Sequence, residues 1–237
     1  FSPDVVVVDS YDSEQLQAIV DQFHVPFKLA FAEAFATQWV NGFDVLLDPT
    51  LLAVGSGRPE KFITGVDAVL LNKENYLHED GSKDFLGGIF FNCGKSEMAA
   101  RLLARLRSDD SFGRGLDVKP GSGFGVFSVA DRANISVGDL NRHAAQVVVA
   151  AGQALWEAAL NRESFYLAAL TPSHTDLLER LARHGVLRLR PAPALSDAEF
   201  AVYHCSPTPA TRQRLRDPET SVRDIAQAIL TAHPAGC

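Results

Sequence analysis

The stretch "VVVAAGQALWEAALNRESFYLAAL", residues 147–170, decides the fold. Its three valines form an unbroken apolar run, which suits a strand covered on both faces. Gly152 then turns the chain into a helical stretch that carries one acid, Glu157, and "FYLAAL" follows as a second buried run. Strand, glycine turn, helix, strand is the unit from which parallel sheets are built. Gly152 and Glu157 have two readings here. They can hold a ligand, with free helix N–H groups facing an anion and a carboxylate accepting from ribose hydroxyls. They can equally be a packing glycine beside a solvated acid.

The same alternation extends to both sides. Upstream, "VVVV" at 5–8 predicts a strand and "SEQLQAIVDQF" at 13–23 a helix with Ser13 as N-cap. "VPFKLAFAEA" at 25–34 and "FDVLLDPT" at 43–50 predict two more strands. Residues 51–84 read as a long connection without periodicity. "FLGGIFFNC" then predicts a strand, "SEMAARLLARLRS" an amphipathic helix and "GLDVKPG" a short strand. "ISVGDLNRHAA" reads as a strand end and a short helix, and "SHTDLLERLARHG" as a helix ended by Gly185. "GVLRLRPA" reads as a strand of alternating exposure, while "SDAEFAVYHC" and "SVRDIAQAILTAHP" both read as helical. The expected architecture is α/β, with two Rossmann-like units of parallel sheet. Residues 1–50 form part of a first unit that looks incomplete at about three strands. Residues 51–84 connect it to a second unit at 85–194, and 195–237 form a helical tail.

With 237 residues, 46% of them apolar and 22% charged, the chain has the composition of a soluble globular protein. A net charge of −7 excludes a broad nucleic-acid footprint, which needs a basic surface. The arginines of "RLRSDDSFGRG" and "LERLARHGVLRLR" make either local basic patches or ordinary solvated helix faces. The three cysteines have no paired spacing, which points to a reducing, cytoplasmic setting without disulfides or structural zinc. No apolar run approaches the ~20 residues of a membrane span, and no signal peptide is visible. The seven histidines show neither HxH nor HExxH spacing, so no metal site is expected.

In open parallel sheets ligands bind beyond the carboxyl ends of the strands, so loops that follow apolar runs carry the candidate site. Four qualify: "DSYD" at 9–12, "NCGKSE" at 92–97, "AAGQALWE" at 150–157 and "LTPSHTD" at 170–176. In the second, Gly94, Lys95 and Ser96 can touch phosphate, although GxxxxGK[ST] is absent. Cys93 is either a nucleophile at a helix start or a small buried side chain. "GSGFG" at 121–125 lacks the spacing of a dinucleotide fingerprint and reads as a mobile loop.

Taken in order, these loops resemble the GT-B group. Within it the similarity is to the nucleotide-sugar hydrolases of pseudaminic acid biosynthesis, the spore-coat polysaccharide proteins and the UDP-GlcNAc transferases of peptidoglycan synthesis. "PDVVVVDSYD" resembles the family's last-but-one N-domain strand with its DSYD turn, and "FITGVDAVLLNKENYL" the segment leading into its second domain. "FLGGIFFNCGKSEMAARLLARL" stands where the family has a strand, a GGSD-type turn and a helix. "AAGQALWEAAL" resembles "SAGGTTLYELxAL", and "SHTDLLERLARHG" resembles "NQxxxAxxLxxxG". Ala151, Gln153 and Ala154 depart from the family's glycine and threonines, CGKS from GGSD, and Ser173-His174 from Asn-Gln.

The resemblance implies an enzyme that hydrolyses or transfers at the anomeric carbon of a UDP-type sugar, in glycan or natural-product biosynthesis, without a cofactor. Gly152 and Gln153 would bind phosphate, Glu157 the ribose, and Asn92, Gly94 and Ser96 the diphosphate. Ser173 and His174 would face the sugar. Tyr11 and Asp12 would serve catalysis at the interdomain cleft, with His174 able to stand in as base. The family's GxGHxxR loop, whose histidine is the expected base, has no counterpart. It would lie before Phe1, in about 100 further residues, or in a partner chain that completes the first sheet and covers its open edge. The alternative is an accessory, non-catalytic half that binds nucleotide-sugar and relies on such a partner, or a scaffold that binds no ligand.

Overall fold

The computed structural model describes residues 5–9, 18, 21–22, 25, 27–31, 43–49, 61–71, 86–108, 126–127, 135–217, 222–223, 225–227 and 230–231. The chain divides into two compact units: Phe1–Leu70 with Asp217–Cys237, and Leu71–Arg216. Tyr11 and Asp12, the predicted helix start at Ser13, "GLDVKPG" and "GSGFG" lie outside the described residues.

The first unit holds a four-stranded parallel sheet in the order β1 (Val5–Asp9), β2 (Phe27–Phe31), β3 (Val45–Asp48), β4 (Lys61–Thr64). The first three strands fall on the predicted apolar runs. The fourth falls inside the supposed connection, so the sheet has one strand more than expected. "KFIT" is too short to show a period, and only its pairing with β3 reveals it as a strand. β4 passes directly into a 3-10 turn, Gly65–Ala68. Phe27, Leu29, Val45, Leu47 and Ala68 form the core of this unit, and Ile225 from the helical end of the chain completes it. Lys28 N–H donates to Asp44 Oδ2 at 2.7 Å and Asp44 N–H to Lys28 O at 2.8 Å, which ties the entry of β3 to β2.

Among its described residues the second unit holds six strands: β5 (Leu86–Asn92), β6 (Val126–Phe127), β7 (Ala144–Ala150), β8 (Phe165–Ala169), β9 (Leu187–Pro191) and β10 (Ala201–Pro207). Their order is β6-β5-β7-β8-β10-β9. Five helices accompany them among the described residues: α1 (Glu97–Ser108), α2 (Val137–His143), α3 (Gln153–Asn161), α4 (Pro172–Arg183) and α5 (Pro209–Leu215). Ile89, Phe91, Val148, Ala168 and Val202 make one sheet face buried under Ala99, Leu102 and Leu106 of α1. On α3, Leu155, Trp156, Ala158, Ala159 and Leu160 are buried, and on α4 Leu177, Leu178 and Leu181. Gly185 ends α4 as predicted: at φ +70° it lets Val186 N–H reach Leu181 O at 2.9 Å.

The sheet is mixed rather than wholly parallel. β10 runs antiparallel to both β8 and β9 and lies between them. "SDAEFAVYHC" is thus a turn and a strand, not a helix. Asp197 accepts from Glu199 N–H at 2.7 Å and Phe200 N–H at 3.0 Å. The same Asp197 donates its own N–H to Phe200 O at 3.0 Å, closing a turn. Ser196 Oγ accepts from Val202 N–H at 2.9 Å, and Arg105 of α1 donates to Ala194 O and Ser196 O at 3.1 and 2.9 Å. Leu195 and Phe200 then fall into the core under α1. Tertiary packing outweighs the local helical pattern here.

Arg162, just after α3, joins three elements. It donates to Asn141 O, Arg142 O, Ala144 O and Ala145 O at 2.8–3.3 Å, closing the carboxyl end of α2 at the entry to β7. An Arg162→Met variant keeps the stem and loses the fork. We expect it to cost about 2 kcal/mol and to lower Tm by roughly 5 °C in thermal denaturation followed by circular dichroism.

Candidate functional site

The chain leaves β5, forms β6 on one side of it, and returns as β7 on the other; all three strands are parallel. Strand order therefore reverses between β5 and β7, and the loops leaving these two strands must diverge. Such a switch point is where sheets of this kind form a crevice beyond the carboxyl ends of their strands. Two of the loops singled out in the sequence, at 93–96 and 151–152, border it. The third, 170–171, leaves the neighbouring parallel strand β8 at the same end of the sheet.

In the first loop Asn92 is half-buried, while Gly94, Lys95 and Ser96 are exposed. Ser96 Oγ accepts from Ala99 N–H at 3.1 Å and so caps α1, leaving its hydroxyl proton for another acceptor. Gly94 lies at φ +72° with nothing within 4 Å of where a Cβ would stand. The position needs glycine for its backbone conformation, not for lack of room. Cys93 points inward: Sγ donates to Val148 O at 3.8 Å, and burial pushes its thiol far above the ordinary range. It is the small core residue of the two alternatives, not a nucleophile. Cys205 is likewise buried, its thiol pushed up to about 12.

In the second loop Ala151 N–H donates to Ala168 O at 3.3 Å, which fixes the turn against β8. Gly152 is the N-cap of α3 and supplies no side-chain cap. Ser96, Ser136, Thr171 and Thr208 each accept an N–H of their own helix, so of α1–α5 only α3 begins without a side-chain cap. Its first turn carries no acid, and a Cβ at Gly152 would meet nothing within 4 Å. The result is a helix start that no side chain caps, with its positive dipole end beside a glycine that leaves room. Gln153 is exposed and Glu157, one turn on along the same helix face, is half-buried. Farther along that stripe Asn161 donates to Glu157 O at 2.8 Å and accepts from Arg142 at 2.9 Å.

In the third loop Thr171 caps α4, and its Oγ1 lies 3.3 Å from Ser173 Oγ. Leu170 N–H donates to His174 Nδ1 at 3.2 Å. An imidazole that accepts at Nδ1 is neutral and carries its proton on Nε2. Burial lowers the His174 pKa, in keeping with the neutral form. His174 therefore presents a donor at Nε2, not the acceptor that a general base needs. The sequence contained the residue but no sign of this bond, which depends on how α4 folds back on the end of β8.

No group of three or more His, Cys, Asp or Glu among the described residues is placed to hold a metal ion, and none of the described helices is long and apolar enough to cross a membrane. The chain matches no family model and no curated protein.

Two outcomes follow. Gly94→Ala places a side chain at positive φ and is expected to cost about 1 kcal/mol in denaturant unfolding. For His174 the folded pKa lies below the unfolded one, so the unfolded chain takes up the proton first as pH falls. The contribution of His174 to stability is complete above the ordinary imidazole range and is lost as pH falls through the lowered folded value. Thermal scans from pH 8 to pH 5 are expected to show this loss, and His174→Gln to flatten it.

Proposed function

We propose that the chain holds a nucleotide-sugar in the crevice between β5 and β7 and acts at the anomeric carbon of a UDP-type sugar, as hydrolase or glycosyltransferase of the GT-B type. The observation that carries this reading is the uncapped start of α3 at the point where strand order reverses. An anion there meets the N–H groups of Gly152 and Gln153 at a helix start that no side chain caps. Glu157, a turn farther along, accepts from the vicinal hydroxyls of a ribose attached to that phosphate. Asn92, Gly94 and the Ser96 hydroxyl line the diphosphate from the other wall. Lys95, exposed beside Ser96, offsets the carboxylate of Glu97 in the first turn of α1. Ser173 and the Nε2–H of His174 supply donors to the sugar or to the leaving oxygen.

In such a reaction water or an acceptor hydroxyl forms the new bond at the anomeric carbon while the bond to the diphosphate breaks. A base must take the attacking proton. Tyr11 and Asp12, outside the described residues, carry that role only by the resemblance of their motif. His174, as a donor, acts on the departing group instead.

The same histidine favours a second reading, in which this chain is the accessory nucleotide-holding half and the base comes from a partner or a preceding segment. Turnover of UDP-sugars by the isolated chain separates the two: product release supports the enzyme, and tight binding without turnover the accessory half.

Gly152→Ser tests the site most cleanly. Its hydroxyl would cap α3, so stability is expected to hold or rise by about 0.5 kcal/mol, while affinity for UDP falls roughly tenfold in isothermal titration. Glu157→Ala is expected to weaken UDP more than inorganic pyrophosphate, which has no ribose. Absence of heat with uridine, thymidine and guanosine diphosphates alike would remove the nucleotide from the account.

A further inference from the structure

β9 is the last strand of its sheet, and among the described residues nothing pairs with its outer side. Two hydrogen bonds set the phase of its ladder with β10: Ala192 N–H to Val202 O at 2.8 Å and Thr208 N–H to Val186 O at 3.0 Å. Antiparallel ladders alternate between bonded and non-bonded pairs. Arg188 and Arg190, opposite Ser206 and His204, thus direct their backbone groups inward to β10. The N–H and C=O of Leu187 and Leu189, and the C=O of Pro191, are directed to the open edge. The side chains alternate as well. Leu187 is buried on the face that α4 covers, while Arg188 and Arg190 are exposed on the other. On that second face His204 stands between Arg190 and Tyr166, its ring edge-on to Tyr166 at 5.4 Å between centroids.

Neither Arg188 nor Arg190 has an acid partner among the described residues. Charged side chains on an edge discourage pairing with like strands. A second copy of β9 laid antiparallel across the edge would set Arg188 against Arg190. The same pair selects for a strand of opposite sign.

We infer that the β9 edge binds an extended acidic peptide segment of another protein as an added antiparallel strand, with carboxylates at alternate positions facing Arg188 and Arg190. The phase of the ladder makes the fit specific. The added strand would exchange both of its backbone hydrogen bonds with Leu189, through its apolar residues. Its acidic residues would sit opposite Arg188 and Arg190 in non-bonded pairs, where opposing side chains come closest. The recognised pattern is acid, apolar, acid, apolar, a form of strand addition. This inference does not depend on the nucleotide site.

The test uses the full chain and a fluorescein-labelled peptide of alternating Glu and Val, read by fluorescence anisotropy. Saturable binding is expected, weakening as salt is raised. A Lys-Val peptide is expected not to bind. Arg188→Glu with Arg190→Glu is expected to weaken the Glu-Val peptide by about tenfold. Both positions are exposed, and an unchanged Tm shows that the fold is kept. A Glu-Val peptide N-methylated at its valines has the same charge but cannot donate to Leu189, and is expected to lose binding on the unaltered protein. No binding of the Glu-Val peptide, equal binding of the N-methylated form, or equal competition by single-stranded DNA would each overturn the inference.

Discussion

The second unit depends on one constraint: β5 must be parallel to a neighbour on each side while both of its faces are covered. Ile89 and Phe91 face α1, and Phe90, on the opposite face, is fully buried as well. A strand so placed cannot sit at an edge, and its neighbours β6 and β7 come later in the chain. The connections must therefore leave in opposite directions, and the gap between them lies beyond Asn92 and Ala150. Every feature of the candidate site follows from that divergence. Gly94 turns one loop away, Ala151 ties the other to β8, and α3 starts from Gly152 without a side-chain cap.

At the other end of the sheet the constraint relaxes. β10 enters antiparallel, fixed by Ser196 and Arg105 rather than by a helical crossover. This leaves β9 outermost, with two arginines displayed in place of a further neighbour. The short β6 ends the sheet at one edge, and the arginine-bearing β9 ends it at the other.

Where apolar runs are long, as in "FLGGIFFNC" and "VVVAAGQALWE", the sequence already shows a strand, a turn and a helix, because burial on both faces permits little else. The loops of the candidate site were legible for the same reason, since they follow those runs. The β4 strand escaped because "KFIT" has too few residues to show a period. β10 escaped because "SDAEF" ahead of it has a local helical pattern, whereas the packing of Leu195 and Phe200 under α1 settles the conformation. The Nε2 donor of His174 and the missing cap of α3 are properties of contacts, and no residue pattern contains them. The proposed GT-B type rests on the order of these loops alone, and the fold adds nothing to it, since any doubly wound sheet would share it.

The central claim is that the uncapped start of α3 receives a nucleoside diphosphate, and amide chemical shifts report on it directly. In a titration of the 15N-labelled chain with UDP, the account predicts saturable shifts at the amides of Gly152, Gln153 and Ala154, with smaller ones at Gly94 and Ser96. Shifts confined to other residues, or an unchanged spectrum at millimolar UDP, would contradict it.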